Sequence, residues 1–306
     1  MVGHAVGDAL GVPVEAMKRE VLEENPITDM IGFGVYNYPP GTWSDDTSMS
    51  LAALDSLADG KIDFDKIMKN FGKWLMEGEY TPNGEAFDVG KTCVRAIIDY
   101  NTNGAKATES GGKAEYANGN GSLMRIHPFS LAAIYENKSH YDTDSFIAAA
   151  SSLTHAHERS ILGCQIYTTV LQSLIEAPKI VSVTQALKRS AQKYASSQEF
   201  NSYARLLAPD FSRLPSSEIK SSGYVVDTLE AAIWCLLTTS EYAECVLKAV
   251  NLGDDTDTVA AIAGGLAGAL YGYAAIPRKW RDTLIRREYI ESICRRASTA
   301  FARAQT

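Results

Sequence analysis

Cysteine is sparse in this chain. Five occur in 306 residues: Cys93, Cys164, Cys235, Cys245 and Cys294. The count is odd and no pair has C-x-x-C spacing, which excludes a disulfide framework and a thiolate zinc site. Cys93, Cys164 and Cys235 fall in apolar helical patterns and read as reduced core residues. No apolar run approaches the roughly eighteen residues of a membrane span. The N-terminus lacks a basic-then-apolar leader, so the cytoplasm is the expected location. Basic charge is in deficit, with 29 Lys and Arg against 37 Asp and Glu, a net charge of −8. Such a surface is repelled by nucleic-acid backbones, and neither nucleic acid nor membrane is expected as a partner. Strand-like alternation with a period of two is scarce as well.

Helical periodicity is what the chain has instead. Phe64, Ile67, Met68, Phe71, Trp74 and Leu75 recur at i, i+3, i+4 and i+7, with Asp63 placed to cap the start. Val183, Leu187, Ala191 and Tyr194 repeat the pattern, as do Leu229, Ala232, Ile233 and Leu236. Val259, Ile262, Ala263, Leu266 and Leu270 form a further case. That segment also carries Gly264, Gly265 and Gly268. Glycine inside a helix costs roughly 1 kcal/mol against alanine, so these glycines predict close approach by a neighbouring helix. The fold class expected is all-α, one multi-helix domain over residues 1–306. Residues 34–47, 101–122 and 196–224 read as loops. The second is long for a structureless connection, which points to function.

The chemistry concentrates in two acidic clusters, each downstream of a glycine and running into an apolar helix. They are Ser44-Asp45-Asp46-Thr47 and Asp254-Asp255-Thr256-Asp257-Thr258. One carboxylate per helix start serves capping and the dipole. Two together exceed that need and repel one another unless a cation lies between them. No histidine adjoins either cluster, and the glycine and glutamate of a calcium-binding EF-hand are missing, which favours Mg2+ or Mn2+. Glu15 is a third acidic candidate, with a solvated carboxylate as the plainer alternative. Asn118-Gly119-Asn120-Gly121-Ser122-Leu123-Met124-Arg125 has two glycines that permit positive φ. Its backbone N–H groups then line a concavity for phosphate oxygens, unless the segment is only a turn. His155, in Thr154-His155-Ala156-His157, precedes a helix expected from Ser160 to Ala177. Metal ligation, substrate contact and capping are all open to it. Asp88 and Asp227 precede apolar stretches and fit capping or a structural bond.

Taken in order, G-D-A-L-G-V-P-V-E, W-S-D-D-T, N-G-N-G-S-L-M-R, L-T-H-A-H, G-Y-V-V-D-T-L-E-A-A and G-D-D-T-D-T-V-A-A-I-A-G resemble the ADP-ribosylglycohydrolase family. This group contains the dinitrogenase-reductase-activating glycohydrolase and the ADP-ribosyl-acceptor hydrolases. The matches run from Gly3 to about Trp280. Only Met1 and Val2 precede the first motif, fewer residues than family members usually have.

The resemblance implies a compact orthogonal bundle of helices and a centre of two Mg2+ or Mn2+ ions. Its ligands would be Ser44, Asp45, Asp46, Asp255, Asp257 and Thr258. Ser44 stands for the more usual threonine, with its hydroxyl and carbonyl both available. Asp254 stands where the family has a second glycine and would be peripheral. Asn118, Gly119, Asn120, Gly121, Ser122 and Met124 would hold the diphosphate, and His155 would contact the ligand. Glu15 and Asp88 would be the catalytic carboxylates, Asp88 matching an aspartate of arginine-directed members. The implied activity is hydrolysis of the glycosidic bond joining ADP-ribose to a protein or small-molecule acceptor, arginine first among them, by a monomer. A non-catalytic ADP-ribose binder or crystallin-like structural protein is the alternative on the same fold.

Overall fold

The structure is a computed structural model that describes residues 1–135 and 142–304. In chain order its helices are α1 (Val2–Gly11), α2 (Arg19–Glu24), α3 (Asp45–Leu57), α4 (Phe64–Glu77), α5 (Lys91–Asn103), α6 (His127–Tyr135) and α7 (Thr143–Ser152). They continue with α8 (Glu158–Glu176), α9 (Ile180–Lys193), α10 (Val225–Leu237), α11 (Tyr242–Val250), α12 (Thr256–Tyr271), α13 (Arg278–Thr283) and α14 (Arg287–Ala304). No strand occurs among the described residues, where an isolated parallel bridge joins Gly112 and His155. The fold is all-α, as the periodicity predicts. Among the described residues no helix is long and apolar enough to cross a membrane. The chain forms two compact units, residues 1–43 with 169–285 and residues 44–168 with 286–306.

The first unit is organised by α1 and α12. Gly3, Gly7 and Gly11 lie four residues apart and therefore on one face of α1. A Cβ on Gly3 would sit 2.6 Å from the Gly264 carbonyl oxygen, and one on Gly7 would sit 2.6 Å from the Ala260 carbonyl carbon. One on Gly11 would sit 2.5 Å from the Thr256 carbonyl carbon. The two backbones are thus in direct contact, which accounts for the glycines expected to admit a neighbouring helix. Polar groups lock the register. The Thr256 hydroxyl donates to the Gly11 carbonyl at 2.9 Å, and Tyr242 on α11 donates to the Gly3 carbonyl at 2.6 Å. Because the start of α12 is the second acidic cluster, this packing fixes that cluster against the end of α1.

The second unit is built on α3 to α7 and α14. α4 starts where expected, with the Asp63 carboxylate accepting the Lys66 N–H at 2.9 Å. Gly78, at φ +70°, ends it in the left-handed conformation. Asn70 on α4 donates to the Ala52 carbonyl of α3 at 3.0 Å. The aromatic core contains Phe71, Phe129 and Phe146, with ring centroids of the last two 6.1 Å apart. Within it lies a charge the periodicity did not predict: Arg125 is 0 % exposed. Its guanidinium carbon stands 5.1 Å from the Phe71 ring centroid and 5.8 Å from that of Phe129. Its Nη atoms donate to the Ala150 carbonyl, both at 3.1 Å, and to Ser151 O at 3.4 Å and Thr154 Oγ1 at 2.7 Å. Ala150 and Ser151 belong to the last turn of α7, whose carbonyls have no partner within the helix. The guanidinium supplies donors there and meets the negative end of the helix dipole. Burial lowers its pKa to about 10, so it stays charged at neutral pH.

The α1 contact predicts opposite signs for two glycine substitutions. Gly7→Ala adds helix propensity worth about 1 kcal/mol, but its methyl group must displace backbone, an overpacking cost of roughly 1–3 kcal/mol or more. A Cβ on Gly268 would meet only an ordinary 3.7 Å contact with Gly3 Cα. Denaturant melts should therefore show a lowered midpoint for Gly7→Ala and an unchanged or raised one for Gly268→Ala. The reverse order would contradict backbone contact between the helices.

Candidate functional site

In the first unit the second acidic cluster is held by backbone rather than by its own side chains. Asp254 has φ +58°, a left-handed conformation that aspartate tolerates better than most residues. Its N–H donates to the Met17 carbonyl at 2.8 Å, and its carbonyl accepts from Ala16 at 2.7 Å. The turn is thereby tied to the residues just after Glu15, while the Asp254 side chain is exposed. Arg19 reinforces the tie, donating from Nε to the Leu252 carbonyl at 2.7 Å. The Asp255 N–H donates to the Ser221 carbonyl at 3.0 Å. Asp257 is 0 % exposed and Thr258 buried, with the Thr258 N–H donating to Asp257 Oδ1 at 2.9 Å. A carboxylate oxygen of Glu15 lies within 4.8 Å of one of Asp257.

Tyr36 donates a hydrogen bond to Glu15 Oε2. The loop carrying it is pinned by the Val35 N–H, which donates to the Pro13 carbonyl at 2.9 Å. Tyr36 escapes a reading of the sequence because twenty residues of loop and short helix separate it from Glu15, and a lone tyrosine among tyrosines carries no pattern. Asp227 has the structural role expected of it, accepting from Ser222 Oγ at 2.6 Å at the start of α10.

In the second unit the first cluster opens α3. Asp45 and Asp46 occupy its first turn, both buried, with Asp46 at 0 % exposure. Ser44 is the N-cap residue yet makes no capping bond through its side chain, and the same is true of Asp255 on α12. The Ser44 hydroxyl instead lies 3.2 Å from Asp46 Oδ2, to which it donates. The Ser44 carbonyl accepts from both Ser48 N–H, at 3.1 Å, and Ser48 Oγ, at 2.7 Å. Both lone pairs of that carbonyl are therefore occupied. This corrects the expectation that the carbonyl is available beside the hydroxyl; the hydroxyl oxygen is the donor atom left to Ser44. Asp88 is half-buried at φ +56° and does not cap α5, whose N-cap is Gly90.

Residues 118–122 and His155 are brought together. Neither Gly119 nor Gly121 adopts a positive φ: Gly119 is extended at φ −68°, and residues 120–122 form a right-handed 3-10 turn. The expectation of positive φ at the two glycines is thus corrected. What Gly121 supplies is room, since a Cβ there would lie 2.8 Å from both Cys93 Sγ and His155 Cε1. Asn118 serves the loop itself. Its Nδ2 donates to the Glu115 carbonyl at 3.0 Å, and its Oδ1 accepts from Ser160 at 2.9 Å. The Ser122 hydroxyl lies 2.9 Å from that of Ser151, and Met124 is buried.

Burial raises the Cys93 thiol to about 11, the Arg125 charge and a Thr154 hydrogen bond opposing this and the Asp46 carboxylate adding to it. Cys93 therefore stays protonated, as expected of a core cysteine. His155, 1 % exposed, is lowered to about 3 by burial and by the Arg125 charge. Its imidazole is neutral at physiological pH. His157 belongs to a different environment, with Nε2 3.4 Å from the exposed Glu115 carboxylate.

Energetics argue against a purely local role for the acidic clusters. A carboxylate at a helix N-terminus contributes about 0.3–1 kcal/mol when exposed, whereas burying one costs several kcal/mol unless charge and hydrogen bonds compensate. Asp45, Asp46 and Asp257 are buried at two helix starts whose N-cap side chains do not cap.

The family model described as ADP-ribosylglycohydrolase matches residues 1–306. ADP-ribosylarginine hydrolase Tri1 of Serratia proteamaculans (strain 568) is 36% identical over 297 residues, covering 96% of this chain and 76% of that protein. The ADP-ribosyl-[dinitrogen reductase] glycohydrolase of Rhodospirillum rubrum is 33% identical over 286 residues, covering 92% and 88%. A solved structure, an ADP-ribosylglycohydrolase-related protein complex, aligns with a TM-score of 0.80 and 30% identity over 99% of this chain and 95% of its own. With the helix starts, the 118–122 turn and His155 all lying inside the matched span, the chain belongs to the ADP-ribosylglycohydrolase family.

Proposed function

We propose that this protein is a divalent-metal-dependent ADP-ribosylarginine hydrolase, with residues 1–306 working as a single catalytic domain. The observation that carries the metal is the burial of Asp45, Asp46 and Asp257 in the first turns of two helices, more buried carboxylate than capping alone requires. The donors are oxygen only, a set suited to Mg2+ or Mn2+. Two such ions would be held by Ser44, Asp45 and Asp46 from one cluster and Asp255, Asp257 and Thr258 from the other. The charges agree in size: these four aspartates with Glu15 sum to −5, against +4 for two ions. When bound, the metal supplies Lewis acidity and orientation to the hydroxyls of the ribose.

The chain's own groups do the rest. The bond broken joins the ribose anomeric carbon to a guanidino nitrogen, and the bond formed joins that carbon to a water oxygen. One carboxyl group protonates the departing nitrogen and one carboxylate accepts the proton of water. Glu15 and Asp88 are the residues proposed for these tasks. Tyr36 orients the Glu15 carboxylate through the hydrogen bond it donates. Residues 118–122, with Met124, hold the diphosphate, and His155 contacts the ligand as a neutral ring. The arginine linkage is supported by the names of the relatives from Serratia proteamaculans and Pseudomonas putida (strain GB-1), both ADP-ribosylarginine hydrolases, the second 32% identical.

On peptides modified with ADP-ribose through arginine or serine, the arginine-linked one should release ADP-ribose faster. Chelation or Asp255→Ala should remove that release by more than a hundredfold, on the order of the 3 kcal/mol an uncompensated active-site charge costs. Release that survives both treatments would exclude the metal. Binding of ADP-ribose with no turnover on any linkage would instead make the protein a non-catalytic binder.

A second outcome concerns pH. A ring lowered to about 3 takes up no proton between about pH 5 and 8. His155→Gln should therefore weaken ADP-ribose binding by about tenfold, one lost hydrogen bond, and leave the shape of its pH dependence unchanged. Loss of an ionisation step from the profile in the variant would show that His155 titrates in the working range.

A further inference from the structure

The hydrogen bonds around His155 form a chain with one consistent direction. Arg125 has only donors, so at 2.7 Å its Nη2 donates to Thr154 Oγ1 and the hydroxyl oxygen accepts. Thr154 Oγ1 also lies 2.9 Å from His155 Nδ1. The hydroxyl has one hydrogen to place. One arrangement gives it to Nδ1, which leaves the ring proton on Nε2. The other puts the ring proton on Nδ1 and sends the hydroxyl hydrogen to the neighbouring Cys93 sulfur. A neutral imidazole nitrogen is a much stronger acceptor than a thiol that keeps its own proton, and Cys93 Sγ already faces the Gly121 carbonyl at 3.8 Å.

The segment that carries the ring is anchored beside this bond. Its backbone is fixed on both sides: the Gly112 N–H donates to the Thr154 carbonyl at 3.0 Å, and the Ala156 N–H donates to the Gly112 carbonyl at 2.8 Å. Ser151 Oγ donates to the His155 carbonyl at 2.8 Å. The opposite edge of the ring faces the 118–122 turn, where a Cβ on Gly121 would sit 2.8 Å from Cε1 and 3.4 Å from Nε2. Among the described residues none accepts a hydrogen bond from Nε2.

We propose that Arg125 and Thr154 are positioning residues that fix His155 in its Nε2–H tautomer, so that the ring donates a hydrogen bond to an oxygen of the bound ADP-ribose. The ligand in this statement rests on the proposed function; the tautomer does not. Arg125 acts twice in the relay. It dictates which way the Thr154 hydroxyl points, and its charge keeps the ring from becoming a cation. A neutral ring of fixed tautomer presents one donor to the ligand at every working pH. It discriminates for an acceptor at that point, since a donor there would meet a donor.

The test is the nitrogen spectrum of the ring in ligand-free protein labelled with 15N-histidine. The chain has five histidines, and His155→Gln identifies the signal. The expected result is a protonated Nε2 and an unprotonated Nδ1. Thr154→Val keeps the shape and removes the hydroxyl. It should populate the Nδ1–H form and raise the Kd for ADP-ribose by about tenfold, while Thr154→Ser should retain the tautomer and restore the affinity. An Nδ1–H ring in the wild type would overturn the proposal, whatever the variants do. So would a folded Thr154→Val protein with wild-type tautomer and affinity. If Thr154→Val fails to fold, the wild-type and Thr154→Ser spectra still decide. An Nε2–H ring in a wild-type protein that does not bind ADP-ribose would uphold the relay and remove the ligand.

Discussion

Three glycines spaced four apart let α1 lie backbone to backbone on α12. Much of the first unit's site follows from that contact. It places the end of α1 beside the start of α12, and the chain leaving α1 carries Glu15 while α12 begins with Asp255, Asp257 and Thr258. The turn at Asp254 then closes the arrangement by pairing its backbone with residues 16 and 17. Each glycine costs helix stability on its own, and that cost is offset by packing two helices closer than any side chain would allow. Carboxylates brought near one another in this way repel, so the same packing that assembles the cluster also concentrates negative charge there.

A different kind of support holds the second unit. Arg125 ends α7 by donating to its last carbonyls and lies over the rings of Phe71 and Phe129. From there it reaches Thr154, and through Thr154 the ring of His155. One buried guanidinium therefore joins helix capping, core packing and the hydrogen bonding of the His155 ring. A lysine would keep the charge but lose the planar fork that serves three acceptors at once. The Gly121 position shows the same economy, since bare backbone there leaves space for both Cys93 and His155.

The helices were legible because burial of one face leaves a 3.6-residue signature, and the pattern from Phe64 to Leu75 with its Asp63 cap reappears as α4. Residues 101–122 were not, because three-residue 3-10 turns leave no period to detect. The acidic clusters stood out through an electrostatic argument that needs no structure. Tyr36 and Arg125 did not. Tyr36 meets Glu15 only through a loop closure, and arginine is ordinarily a surface residue, so its burial follows from tertiary packing alone. Of the two properties glycine brings to the 118–124 segment, Gly121 uses the missing side chain, for close approach, and neither glycine uses positive φ. The Ser44 carbonyl was counted as a donor because sequence cannot show that Ser48 takes both of its lone pairs.

The central claim is that the buried aspartates are there to hold divalent cations, and thermal unfolding with and without Mn2+ tests it most directly. In wild-type protein, Mn2+ at about a hundred times its Kd should add roughly 2.7 kcal/mol of stability. Asp257→Asn should remove that increment and, by relieving repulsion, leave the metal-free protein at least as stable as the wild type. An equal response to Mn2+ in both proteins, or a metal-free Asp257→Asn protein that is markedly less stable, would mean that Asp257 serves the fold and not a metal.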